Sequence, residues 1–280
     1  IALLELRAQV RVLRLEAALL ERGVEDMQQL VDLKRLAHEV PGAAFDRFDA
    51  ARPDASRFID EDFNRVWAGE VLDGSRRSAE LDRARQLRPF VDRATHLLDL
   101  HSMHEPCAPL LVTGTLARNI ALAQGLRTSG QVIVDSGHAD GVRMRDYGEF
   151  ANPHGERIAL LLEAGQHWDP RAVSAARDTL MRFLIHAGAL TRSQAPMGWL
   201  LPDKPVPAPV MVTDRVVATS MDFRFSDSYT GGETIAKAGT VIAIDAGRKV
   251  TTPYDNCVLV MPSLRQLRPG VTTVRLGRRA

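Results

Sequence analysis

From residue 95 onward, short apolar runs alternate with stretches of helical periodicity, and few folds accommodate that order. The runs are THLLDLHS (95–102), Leu110 to Val112, Gln131 to Asp135 and Ile158 to Glu163. Each has the length and apolar content of a buried strand. Residues 115–125 and 171–187 read as the helices between and after them. Strands that alternate with helices imply an α/β domain with a mostly parallel sheet. Upstream, 78–93 reads as a helix with Ser78 as N-cap and Glu80 in the first turn, where negative charge suits the helix dipole. Pro89 should bend or shorten it. Residues 2–39 also carry helical spacing, in Leu13, Leu15, Ala18 and Leu19 and again in Leu30, Val31, Leu33 and Leu36. Residues 43–76 read as irregular and rich in charge, and an ordered loop of that length is uncommon unless it has a function.

The pattern changes near residue 195. APMGWLLPDKPVPAP reads as a proline-rich linker. Short strands follow at Val210 to Val217, Thr240 to Ile244 and Cys257 to Met261, punctuated by glycines. The expected organisation is an α/β domain over 1–195 and a small all-β domain over 196–280. The length of 280 residues is enough for both. A net charge of +1 favours neither nucleic acid nor a membrane surface, and Arg275, Arg278 and Arg279 read as a short solvated tail. The two cysteines, Cys107 and Cys257, form no CxxC pair, so a reducing compartment is the default. No apolar run approaches the roughly 20 residues of a membrane helix. The expectation is a cytoplasmic chain, with homo-oligomerisation left open.

Several residues stand where chemistry is feasible. On a strand, Asp99 and His101 project to the same face, and His101 falls where the strand meets a loop. Open α/β sheets place ligands at the carboxyl ends of their strands. A histidine there is either a metal ligand oriented by a carboxylate or a hydrogen-bonding core residue. His104 and Cys107 extend it to an H-x2-H-x2-C set that is tight for a zinc site. Arg57 and the run Asp60 to Arg65 read either as solvated charge or as a clamp. In the clamp, one arginine and an amide neighbour hold a carboxylate, and a second arginine stabilises an oxyanion. Five apolar residues lead to Glu163. A carboxylate at that edge suits a general base or forms a buried ion pair. His138, between Gly137 and Gly141, reads as part of a tight turn.

Four of these segments resemble one family. DEDFNRVW (60–67) resembles the D-x-N-R signature of the succinylglutamate desuccinylase/aspartoacylase branch of zinc-carboxypeptidase-like hydrolases. LLDLHSM resembles that family's strand carrying the last zinc-binding histidine, and LLLEAGQHW its catalytic-glutamate strand. TPYDNCVLVMPS resembles a C-terminal signature of bacterial members. The resemblance runs with gaps from about residue 43 to the end. It implies a three-layer zinc-carboxypeptidase-like domain and one Zn2+ per chain that activates a water to attack an amide carbonyl. On this resemblance His101 matches the third zinc ligand and Glu163 the general base. Asn64 and Arg65 match the pair that holds the substrate carboxylate, and Arg57 the arginine that polarises the scissile carbonyl.

The sequence departs from the family in two places. The first two zinc ligands of the family come from an H-x-x-E motif, and no H-x-x-E occurs in the chain. IALLELRAQ resembles the helix that follows that motif, so the two ligands are expected upstream of Ile1, and the chain as it stands is expected to bind zinc poorly. Residues 11–42 read as helix where the family has a turn and a core strand. The functional expectation is a zinc-dependent hydrolase of a small, anionic N-acyl amino acid or related acylated compound. The alternatives are a carboxypeptidase acting on peptide C-termini and a metal-free binding protein of the same fold.

Overall fold

A computed structural model describes residues 58–137, 141–205 and 208–280. The expected helix over 2–39, the first part of the 43–76 loop and His138 lie outside the described residues. The alternating region supplies four strands: β1 (His96–Met103), β2 (Leu110–Val112), β3 (Gln131–Val134) and β4 (Ile158–Gln166). Its helices are α1 (Gly69–Asp73), α2 (Ala79–Arg93), α3 (Ala117–Gly125) and α4 (Pro170–His186). Seven further strands follow: β5 (Val210–Val217), β6 (Arg224–Phe225), β7 (Thr234–Ile235), β8 (Val241–Asp245), β9 (Arg248–Thr251), β10 (Cys257–Val260) and β11 (Thr272–Arg279).

One sheet of eight strands runs in the order β1-β4-β2-β3-β5-β11-β10-β7, and β6-β8-β9 form a second sheet. The pairs β1/β4, β2/β3 and β3/β5 are parallel, and β2/β4 is antiparallel. The α/β part is therefore mixed and mostly parallel. Because β5 pairs with β3, the large sheet continues past residue 196 without a break. The residues after 196 add β5, β11, β10 and β7 to it and build the three-stranded sheet on their own.

Side chains alternate across a strand, and β4 uses that alternation. Leu160 and Leu162 pack with Leu122 and Leu126 at α3 and with Ala172, Ala175 and Phe183 of α4. Ala159 turns to the opposite face, against Leu81, Ala84 and Val91 of α2. Leu161 shares that second face with Val112, Ile133 and Val260. Helix α4 begins at Pro170, where a missing N–H costs nothing, and the Asp169 side chain caps the Arg171 N–H at 2.8 Å. Helix α2 begins as expected, with Ser78 Oγ accepting from Leu81 N.

Helix α2 contains Pro89 and ends at Arg93, the expected end. Two expectations need correction. The charged run at 60–62 is not merely solvated. Asp60 accepts from the Ala79 N–H at 2.7 Å, and Asp62 accepts from the Asn64 N–H at 2.9 Å. In return, Glu80 accepts from the backbone N–H groups of Ile59, Asp60 and Glu61, which pins this segment over the start of α2. The C-terminal arginines are not a tail. They belong to β11, an interior strand between β5 and β10, and Arg275 is 5% exposed. The described residues of the proline-rich segment lack regular structure, yet the segment is anchored. The Arg182 guanidinium donates to the Leu201 carbonyl at 2.6 Å and to Asp203 at 2.9 Å.

Gly141 fixes how the turn before β4 meets the segment carrying Asn64 and Arg65. Its φ of 135° suits glycine, and a Cβ there would run into the Arg65 carbonyl oxygen. Gly141→Ala should therefore destabilise the chain by about 2–4 kcal/mol, measured by denaturant unfolding. Wild-type stability in this variant would show that the close approach is not maintained in solution.

Candidate active site

Strands β1 and β4 run parallel, and His101 is the register partner of Glu163. Asp99, two residues before His101, shares its face. Asp99 Oδ1 lies 3.0 Å from His101 Nε2, and Asp99 Oδ2 accepts from Asn64 Nδ2 at 3.0 Å. The short 3-10 turn Phe63–Arg65 delivers Asn64 and Arg65 from the other side. Arg65 Nη1 donates to the Asn64 carbonyl at 2.7 Å, and Arg65 Nη2 stands 3.9 Å from Asp62.

These residues surround one cavity of about 70 Å³, room for a small polar group together with a water or two. Asn64, Arg65, His101 and Glu163 line it over a floor of Val112, Ile133 and Leu161. Asn64 is buried, while Arg65, His101 and Glu163 are half-buried. Arg57 lies outside the described residues. His104 and Cys107 do not join His101 as a ligand set. His104 instead meets His167, with Nδ1 and Nε2 3.2 Å apart.

Two arginines at the cavity were not anticipated as site residues. Arg143, 5% exposed, donates from Nε to Asp146 at 2.8 Å. Arg275, from β11, has its Nε 3.1 Å from Asp135 Oδ2, and both partners are buried. Burial lowers the Arg275 pKa, Asp135 opposes that, and Arg143, Arg215 and Arg65 add to it. Arg145 stands behind them, 2% exposed and pushed down to about 10, by burial first and then by the charge of Arg143. The cavity thus gathers Arg65, Arg143 and Arg275 against Glu163 and Asp135, an arrangement suited to an anionic ligand. The signals were a pair of arginines in GVRMRDY and an alternating C-terminal run, TTVRLGRR. Neither is specific without the fold.

A zinc site takes three or four protein ligands. The cavity wall supplies one imidazole, His101. Among the described residues, no group of three His, Cys, Asp or Glu side chains is arranged to hold a metal ion. The described residues by themselves therefore do not make a zinc site.

Solved structures similar in shape point one way. Succinylglutamate desuccinylase from Vibrio cholerae matches at a TM-score of 0.58 and 18% identity, over 82% of this chain and 68% of that one. Product-bound ectoine utilization protein EutE from Ruegeria pomeroyi matches at 0.56 and 18%, over 82% and 72%. A succinylglutamate desuccinylase/aspartoacylase from Rhodobacter sphaeroides matches at 0.58 and 15%, over 82% and 73%. The chain has the succinylglutamate desuccinylase/aspartoacylase fold. No family model matches the sequence, and no curated protein does. At these identities the desuccinylase-like fold is what is shared, so the chemistry has to be argued from the cavity.

Cys107 reports on that cavity. Burial, and after it the Glu163 charge, push its thiol up to about 11. In the folded chain at pH 8, Cys107 should react with iodoacetamide at least tenfold more slowly than in the unfolded chain. Glu163→Gln should speed it by removing the smaller of the two causes. Peptide-resolved alkylation measures both, and a Cys107 as reactive as in the unfolded chain would contradict the placement.

Proposed function

We propose that this chain carries the site of a hydrolase that cleaves the amide bond of a small anionic N-acyl amino acid or a related acylated compound. The observation that supports this most is the pairing of His101 with Glu163 across β1 and β4, in a cavity that Arg65 also lines. The neighbours in shape include structures titled succinylglutamate desuccinylase, which agrees with this reading.

Glu163 takes the proton of the attacking water and returns it to the leaving amine. An amine that leaves as an anion is a very poor leaving group, so the second transfer matters as much as the first. Arg65 holds a carboxylate of the substrate, with two parallel hydrogen bonds available from its planar fork. Arg57 is assigned by resemblance to the carbonyl oxygen, where positive charge stabilises the developing oxyanion. Were a zinc ion bound, His101 would be one of its ligands, and the ion would supply Lewis-acid activation of water and carbonyl. A small substrate fits better than a peptide C-terminus, because Val260, Met261 and Arg275 from the C-terminal strands close one side of the cavity.

A metal-free binding protein is the second reading. The single imidazole among the cavity's described side chains favours it. Turnover separates the two. The chain, supplied with zinc, is assayed for amine release from N-acyl amino acids, with metal content measured in parallel. Amine release abolished by Glu163→Gln at unchanged metal content supports the hydrolase. Tight binding of the same compounds without release, at any zinc level, supports the binding protein. Arg65→Ala should weaken handling of acidic substrates by roughly 2–4 kcal/mol in KM, the range for removing one partner of a buried charged contact. An unaltered KM would remove Arg65 from the substrate site.

A further inference from the structure

The turn Met144–Asp146 places two buried arginines on one carboxylate. It is a 3-10 turn, closed by Asp146 N donating to the Arg143 carbonyl at 2.9 Å. With three residues per turn, the side chains of Arg143 and Asp146 fall on the same side. Arg143 Nε donates to Asp146 Oδ2 at 2.8 Å. The other oxygen of that carboxylate, Oδ1, lies 2.6 Å from Arg145 Nη2. Asp146 is thus held at one oxygen and holds Arg143 with the other.

Arg145 has little freedom to move. It is 2% exposed and packs over Gly114, where φ is 68° and a Cβ would come within 2.8 Å of Arg145 Nη1. Arg145 does not line the cavity. It fixes the Asp146 carboxylate from behind.

Arg143 stands in front. It lines the cavity and is 5% exposed. Of its five N–H donors, the one on Nε is spent on Asp146. Its Nη2 is buried and has no hydrogen-bond partner among the described residues. A buried donor without an acceptor costs free energy, and such a group in a native fold calls for an explanation. The guanidinium is planar, so the acceptor at Nε restricts where the Nη2 hydrogens point. An open cationic donor at a cavity wall suits an anionic oxygen.

We propose that Asp146 is a positioning residue: anchored by Arg145, it orients Arg143 so that Nη2 donates to an anionic oxygen of the ligand. The inference rests on the hydrolase reading above for the identity of the ligand, and on the geometry for the rest.

The test is a double-mutant cycle in the full chain, with N-acetylglutamate as the probe. Its Kd is measured by calorimetry, and exchange of the Arg143 Nε–H by NMR. Asp146→Ala should weaken the probe by roughly tenfold or more and speed the Nε–H exchange by a similar factor. Asp146→Glu, which keeps the carboxylate, should recover part of both losses. Arg143→Ala should also weaken the probe by roughly tenfold, and adding Asp146→Ala to it should change Kd by less than about twofold, because the effect passes through a side chain already removed. A merely structural Asp146 would weaken the probe by the same factor in both backgrounds, and that result overturns the proposal. So does a wild-type Kd in Asp146→Ala. Should either variant fail to fold, the wild-type chain decides. Arg143 Nη2 resonances that shift at saturating probe support the proposal, and resonances that stay put overturn it. If the wild-type chain does not bind the probe, the substrate reading fails. The hold of Asp146 on Arg143 is then judged by the Nε–H alone, and exchange unchanged in Asp146→Ala overturns it.

Discussion

The parallel register between β1 and β4 is the constraint on which the site depends. From His96 opposite Ile158 to His101 opposite Glu163 the pairing advances one residue at a time, and it shifts only beyond His101. A slip of one residue would send every β4 side chain to the other face. Glu163 would then point toward α3 and α4, and Leu160 and Leu162 would leave the core they build with those helices. The same apolar residues that drive the helices onto the sheet thus aim the carboxylate away from them. The glutamate is placed by the packing of its neighbours, with no device of its own.

Around that pair the protein concentrates charge where little water reaches. Arg275 and Asp135 are both buried, as are Arg143 and Arg145 beside Asp146. Removing guanidinium groups from water is costly unless they are paired. Here each cavity arginine has an acidic neighbour: Arg275 has Asp135, Arg143 has Asp146, and Arg65 stands 3.9 Å from Asp62.

Much of the fold was legible in the sequence, because strand length and helical spacing are local signals. THLLDLHS and the Ser78 cap fall within a residue of their elements, and the run ending in Glu163 starts on its strand and stops three residues short of its end. What was not legible depends on distant partners. Nothing in TTVRLGRR announces that its arginine meets Asp135 some 140 positions earlier, so a buried interior strand reads as a charged tail. The run DEDFNR looks solvated for the same reason, since Asp60 and Glu80 satisfy each other's backbone neighbours only once α2 has formed. Resemblance and spacing named Asn64, Arg65, His101 and Glu163, and the fold brings these four side chains to one cavity.

The C-terminal strands bear on what the cavity can accept. β5 extends the sheet from β3, and β11 then carries Arg275 to the loop that follows β3. Val260 and Met261, at the end of β10, stand at the same wall. A ligand here is therefore bounded by the α/β strands on one side and by the last strands of the chain on the other. Those last strands share the main sheet, so they cannot swing away as a hinged lid without breaking the β3/β5 hydrogen bonds. A wall held in the main sheet agrees with the small acid proposed above as the ligand.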